Sequence, residues 1–313
     1  MKHVAFIGVG AIGLPMAKHL VAAGLDVTAF DVSPTRLDEA AAAGMRTATS
    51  PEEAATDADV VVVMVATPQQ LHHAVLGPQG VAAGIAPGAC CVVMSTVGID
   101  AVRAIDQALG ERDVAVLDVP VTGGVAGAEA GTLTLLAGGE PATLARCTQV
   151  LAPMGRLAVC GPAVGDGQAV KLVNQLLCSV HLAAAGEALA FARALGLDPA
   201  AVLEIIGGGA AGSWMLSDRG PRMLAEDPPV RSAVDIFVKD SGLVAQAAEA
   251  ADFDAALLDV AASRFWAASA AGLGRADDSR VITTYLGDTL ASLDGTPAAD
   301  PVHTAGPSKE SGR

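Results

Sequence analysis

The chain has 313 residues, with hydrophobic side chains at 52% and charged ones at 17%. That is enough apolar surface for a sizeable core and, at about 150 residues per domain, enough length for two domains. A formal net charge of −15 repels phosphate backbones and anionic membranes, which argues against nucleic acid and membrane surfaces as partners. Roughly one residue in five is alanine while aromatics make up 3%, a balance that favours closely packed helices over an all-β sandwich. The longest uninterrupted apolar run, residues 60–66, falls far short of the roughly 20 residues of a membrane-spanning helix. The opening Met1-Lys2-His3 precedes only a short apolar run, unlike a secretory signal. Cys90, Cys91, Cys147, Cys160 and Cys178 are odd in number and lack metal or redox spacing. They are expected as reduced thiols of a cytoplasmic protein. His72 and His73 stand beside no thiol or carboxylate cluster and are expected on the surface, with no metal site.

In chain order, short apolar segments at residues 4–7, 27–30, 60–65, 91–94 and 114–117 have strand length and are rich in β-branched residues. Alanine-rich stretches of helical length separate them. This alternation predicts an α/β domain of Rossmann type over residues 1–164, a doubly wound and mainly parallel sheet buried on both faces. Residues 132–136 and 157–159 read as further strands closing that domain. Past Gly161-Pro162 the pattern changes. Residues 168–195 contain no proline, and Gly186 is the one helix-weakening residue. A helix of that length spans roughly 40 Å and, being apolar nearly all round, needs other helices about it. No strand pattern follows, so residues 165–290 are expected as an all-α domain joined to the first through this long central helix. Residues 291–313 hold Pro297, Pro301, Pro307 and three glycines without apolar periodicity. They are expected to form a disordered tail.

Gly8-Val9-Gly10-Ala11-Ile12-Gly13 directly follows the first strand and opens a helix. A lone G-x-G-x-x-G is weak evidence, but the strand before, the helix after and the acid ending the next strand strengthen it. Gly8 permits the tight turn, Gly10 the approach of a pyrophosphate, and Gly13 close helix–strand packing. The helix start at Ala11, Ile12 and Gly13 offers N–H groups to phosphates, and Pro15 suits the first helical turn. Asp31, about 20 residues on, can accept hydrogen bonds from an adenosine ribose and would repel a 2′-phosphate, which favours NAD over NADP. Arg36 nearby softens that repulsion. The bland alternative is a structural glycine turn beside a surface aspartate.

Three further segments carry candidate chemistry. In Asp118-Val119-Pro120-Val121-Thr122-Gly123-Gly124, paired glycines after a hydroxyl residue can form a concave set of N–H donors suited to a carboxylate, although alone they would read as a turn. In Gly165-Asp166-Gly167-Gln168-Ala169-Val170-Lys171-Leu172-Val173-Asn174, Lys171 and Asn174 are i and i+3 on one helical face, although a lone lysine is more often a solvated surface group. Phe237-Val238-Lys239-Asp240 lies within a helical stretch.

Together these segments resemble the β-hydroxyacid dehydrogenase family, which includes 3-hydroxyisobutyrate dehydrogenase and tartronate semialdehyde reductase. Four motifs agree in order over about residues 1–290, and the helical half is similar to the C-terminal domain of 6-phosphogluconate dehydrogenase. Ala210 to Met215, Ser232 to Asp240 and Asp277-Asp278-Ser279 most resemble the L-threonate dehydrogenase branch. Two positions depart from the family pattern: Thr122 stands where serine is usual, and Ser241 where leucine follows Lys-Asp.

The resemblance implies that Lys171 is the general acid/base, and the physics is consistent with that role. Oxidation needs a base for the hydroxyl proton, and a lysine, ordinarily titrating near about 10.4, must be desolvated or set near positive charge to be neutral. It further implies that Thr122, Gly123 and Gly124 hold the substrate carboxylate and Asn174 the reacting or a neighbouring oxygen. Lys239 would contact substrate and cofactor, and Thr96 would lie near the nicotinamide ribose. The expected enzyme is an NAD-dependent oxidoreductase of a small hydroxy acid, best matched by a sugar acid such as L-threonate. 3-Hydroxyisobutyrate or another short β-hydroxy acid is the alternative. Imine reductases lack a lysine at the place of Lys171. A non-catalytic dinucleotide-binding module is the remaining reading, against which Lys171 and Asn174 both stand. A homodimer or homotetramer is expected.

Overall fold

The computed structural model describes residues 2–286, so the tail expected at 291–313 lies outside the described residues. The strands are β1 (His3–Ile7), β2 (Asp26–Phe30), β3 (Arg46–Thr47), β4 (Val60–Val63), β5 (Cys90–Val93), β6 (Ala115–Asp118), β7 (Val121–Thr122), β8 (Leu133–Gly138) and β9 (Gly155–Gly161). They form one sheet in the order β3-β2-β1-β4-β5-β6-β8-β7, with β9 paired to β8. From β3 to β6 every pairing is parallel. β8 runs antiparallel to β6 and β7 and parallel to β9.

Between the strands lie α1 (Gly13–Ala22), α2 (Pro34–Ala42), α3 (Pro51–Ala55), α4 (Pro68–Leu76), α5 (Val81–Gly84), α6 (Ile99–Gly110), α7 (Gly124–Ala130) and α8 (Pro141–Leu151). Helices α2, α3, α4 and α8 each begin on proline, whose missing N–H costs nothing in a first turn. Ser50 and Thr67 cap α3 and α4 by accepting the Glu53 and Gln70 N–H groups. Successive strand residues face opposite sides of the sheet. The alternation therefore divides Val4, Phe6, Val60 and Val62 into one core and Ala5, Ile7, Val61 and Val63 into another. Two buried faces are what the continuous apolar runs require. The order reverses beside β1, with β2 on one side and β4 on the other, which opens a crevice at the carboxyl ends of β1 and β4.

The second half is helical: α9 (Asp166–Ala194), α10 (Pro199–Gly207), α11 (Trp214–Leu224), α12 (Val234–Ala250), α13 (Ala256–Ala268) and a 3-10 segment, Asp278–Tyr285. By length and composition α9 could also cross a membrane, a property the uninterrupted apolar count does not reveal. Here its first turns pack on β8 and β9, and α11, α12, α13 and the 3-10 segment pack around it. Phe237 and Phe265 meet in that core with ring centroids 5.0 Å apart. Gly186, a helix-weakening residue by propensity, lets the 3-10 segment approach, since a Cβ there would already lie 3.4 Å from Ile282 Cα.

The differences from the sequence expectation are local. The run at 60–65 stops as strand at Val63, and the strand expected at 114–117 is shifted by one residue. The last two strands extend beyond 132–136 and 157–159. Two short strands, β3 and β7, carry no sequence signal because two residues show no periodicity. Val121–Thr122, read as part of a turn, is a strand because β8 supplies its hydrogen bonds.

Candidate active site

The turn after β1 has the geometry that a dinucleotide phosphate needs. Gly8 has φ +95°, and a Cβ there would run into the Met64 carbonyl; a Cβ on Gly13 would run into the Gly8 carbonyl. These two glycines are required by the chain itself. A Cβ on Gly10, by contrast, would meet nothing within 4 Å, so the space beside Gly10 is open for a group from outside. No side chain caps α1, and its N-terminus is left for an anion. Asp31 ties the next strand end to this turn: Val9 N–H donates to Oδ2 at 2.9 Å and Ser33 N–H to Oδ1 at 2.9 Å. Each oxygen keeps acceptor capacity for a ribose hydroxyl. The residues thus fit a nicotinamide dinucleotide. Arg36 is paired with Glu39 at 2.6 Å.

The second cluster lies between the domains. Gly123 and Gly124, at φ +130° and +62°, turn the chain from β7 into α7. Thr122 Oγ1 donates to Asn174 Oδ1 at 3.5 Å, and Asn174 Nδ2 donates to Gln175 Oε1 at 2.8 Å. Gln175 Nε2 donates to the Asp240 carboxylate. Asp240 pairs with Lys239 Nζ at 2.7 Å, and Lys239 Nζ crosses to the Thr96 carbonyl at 2.7 Å. A chain of polar groups therefore runs from the glycine pair to the loop after β5.

Lys171 stands among these groups. It is 7% exposed and makes no hydrogen bond or ion pair among the described residues. Burial pushes its pKa below the ordinary lysine value, and the Lys239 charge acts in the same direction; Asp240 and Cys178 oppose them. A buried amine of this kind can take and return a proton.

A third set of contacts fixes α9 against the sheet. Asp118, at the end of β6, accepts the N–H groups of Gly165 (3.1 Å) and Gln168 (2.7 Å) and Gln168 Nε2 (2.8 Å). The Gln168 amide also donates to the Ser95 carbonyl at 3.0 Å, and its Oε1 accepts from Val97 and Gly98, each at 3.0 Å. Fully buried Gln168 thereby joins the ends of β5 and β6 one helical turn before Lys171. Burial pushes the Asp118 carboxyl up to about 6 against the donors that favour its ionised form.

Thr122, Lys171, Asn174, Lys239 and Thr96 are thus brought together, and the glycine turn and Asp31 form a separate cluster at the crevice of β1. The sequence reading assigned no role to Asp118, Gln168, Gln175 or Asp240. Asp118 carried a signal, a charge ending an apolar strand, but its partners are 47 and 50 residues away. The Ser241 hydroxyl is engaged within its own helix. It donates to the Phe237 carbonyl at 2.5 Å.

Residues 3–165 match the family model of the NAD-binding domain of 6-phosphogluconate dehydrogenase. Residues 165–285 match that of the NAD-binding region of NADP-dependent 3-hydroxyisobutyrate dehydrogenase. The chain is 38% identical over 290 residues to L-threonate dehydrogenase of Cupriavidus necator, covering 92% of this chain and 98% of that one. The chain belongs to the β-hydroxyacid dehydrogenase family. This family member is also 36% identical to an NAD-dependent L-serine dehydrogenase of Pseudomonas aeruginosa, over 80% of this chain and 86% of that one. Its fold is similar to a crystal structure of 3-hydroxyisobutyrate dehydrogenase from Salmonella typhimurium, with TM-score 0.86, 35% identity, and 90% and 99% of the two chains covered. As a β-hydroxyacid dehydrogenase, it is an oxidoreductase of hydroxy acids that uses a nicotinamide dinucleotide.

Proposed function

We propose that this dehydrogenase oxidises a small sugar acid of the L-threonate kind with NAD, using Lys171 as general base. The observation that carries this reading is the buried Lys171 amine, without a partner among the described residues, in the cluster of Thr122, Asn174 and Lys239. A dinucleotide held by the glycine turn and Asp31 would supply the hydride acceptor. Lys171 takes the proton of the reacting hydroxyl, which a neutral amine can do and an ammonium cannot. Asn174 holds the reacting or a neighbouring oxygen. Thr122 and the backbone N–H groups at Gly123 and Gly124 hold the carboxylate, with Lys239 supplying positive charge, so that the carbon is fixed before reaction. Asp31 supports NAD over NADP, since its anchored carboxylate repels a 2′-phosphate and Arg36 is engaged by Glu39. Residues 1–164 act in this reading as the cofactor domain and 165–290 as the substrate and oligomerisation domain. Exposed Val173, Leu177, Phe191 and Leu195 on and just after α9 support association of copies through the helical half.

The relatives named L-threonate dehydrogenase support the sugar acid, and the Salmonella structure supports 3-hydroxyisobutyrate as the second reading. An NAD-reduction assay over L-threonate, 3-hydroxyisobutyrate, glycerate and L-serine separates them, with the highest kcat/KM expected for L-threonate. Lys171→Ala is expected to lower turnover by roughly 100-fold or more while dinucleotide affinity stays nearly intact. Substantial residual turnover would remove the lysine from its role.

A further inference from the structure

The α11 helix brings a further charged group, Arg219, toward this cluster. Ser213 caps this helix by accepting the Leu216 N–H at 3.0 Å, which sets Trp214 as its first residue. The Trp214 ring lies 3.8 Å from where a side chain on Gly124 would begin, so it flanks the turn assigned to the carboxylate. Arg219 stacks on that ring, 5.2 Å from its centroid. The Cys178 thiol, 3.4 Å from Asn174 Nδ2, lies within electrostatic reach of both Lys171 and Arg219. Arg219 therefore lies behind the Trp214 ring, on the side of the site that carries the Gly124 turn.

The hydrogen bonding of Arg219 is incomplete. Its guanidinium has five N–H donors. Nε and one Nη2 donor go to Asp278, at 3.3 and 2.9 Å, and one Nη1 donor goes to Asp218 at 2.7 Å. Two donors, one on each terminal nitrogen, have no partner among the described residues, although Arg219 is only 8% exposed. The charge, in contrast, is already answered. Asp218, Asp277 and Asp278 face Arg219 and Arg222, with Arg222 bonded to Asp277 at 2.6 Å and to Asp218 at 2.9 Å. Three carboxylates against two guanidiniums do not attract another anion. The two spare N–H groups therefore suit neutral oxygen.

We infer that Arg219 is a specificity-determining residue: its two unpaired N–H donors, held by Asp278 and Asp218 and backed by Trp214, bind hydroxyl oxygens of the substrate. The inference rests on the dehydrogenase reading above and deepens it, naming a polyhydroxylated acid over one with an apolar tail. A methyl group in that place leaves two buried donors unpaired, whereas hydroxyls satisfy them.

The test compares kcat/KM for L-threonate with that for 3-hydroxyisobutyrate in the wild type, in Arg219→Met and in Arg219→Lys. The lysine variant keeps a cation against buried Asp278, so it reports even where the methionine variant fails to fold. The wild type is expected to prefer L-threonate, and the ratio of the two constants is expected to fall about 10- to 100-fold in the variants. Trp214 provides a second reading: L-threonate added to the Lys171→Ala protein with NAD should change tryptophan emission, and should do so more weakly when Arg219→Lys is added. A ratio that survives both substitutions overturns the assignment alone, and a wild type that prefers 3-hydroxyisobutyrate overturns it together with the sugar-acid reading. A wild type inactive on every hydroxy acid tested overturns the dehydrogenase reading and this assignment with it.

Discussion

At the scale of the residue, the decisive quantity is the proton affinity of Lys171. Desolvation is the largest influence on it and favours the neutral amine; Lys239 adds to that effect and Asp240 opposes it. In the proposed mechanism oxidation requires the unprotonated form, so kcat/KM for NAD reduction is expected to rise with pH through an inflection below the ordinary lysine value. The neighbours set the direction of further shifts. Lys239→Met removes a repelling charge and should move the inflection to higher pH, whereas Asp240→Asn removes an attracting one and should move it lower. Profiles of log kcat/KM against pH for the three proteins check this; shifts of the same sign in both variants would contradict it.

At the scale of the element, the strand–turn–helix around residues 8–13 separates two uses of glycine. Gly13 lacks a side chain because the Gly8 carbonyl occupies the space, whereas the space at Gly10 is open. Gly13→Ala should therefore destabilise the fold by about 1–3 kcal/mol through overpacking. Gly10→Val should leave the denaturation midpoint nearly unchanged while weakening dinucleotide binding, because its side chain would fill the open space proposed for the pyrophosphate. Paired measurements of urea midpoint and cofactor affinity distinguish the two. Equal loss of stability in both variants would make the motif a purely structural turn.

At the scale of the whole molecule, Asp118 and Gln168 hold the helical half against the sheet, and Lys239 reaches across to Thr96. The Asp118 carboxyl, pushed up to about 6, sits above its value in an unfolded chain, about 3.9. The native state then holds more protons between these values, so its contribution to stability is present below pH 4 and lost as pH rises through 6. A shift of this size corresponds to roughly 3 kcal/mol. The stability difference between wild type and Asp118→Asn should therefore shrink by that order between pH 4 and pH 7, as read from urea unfolding at several pH values. A pH-independent difference would show that burial of this carboxyl is not the controlling influence.

Much of the molecule was legible in the chain before folding. The β-branched runs, the glycine turn with Asp31 at its remove and the long proline-free helix are patterns within short windows, and local sterics and apolar periodicity convert them directly into elements. The resemblance placed Lys171 and Asn174 in the chemistry, and their i, i+3 spacing required them to share a helical face. What tertiary structure alone decided were the pairings across distance. β7 is a strand only because β8 lies beside it. Asp118 is met by Gln168, Arg219 by Asp278, and Lys239 by the Thr96 carbonyl. No periodicity announces such partners, because the burial of a polar group and the direction of its hydrogen bonds exist only once the elements have packed.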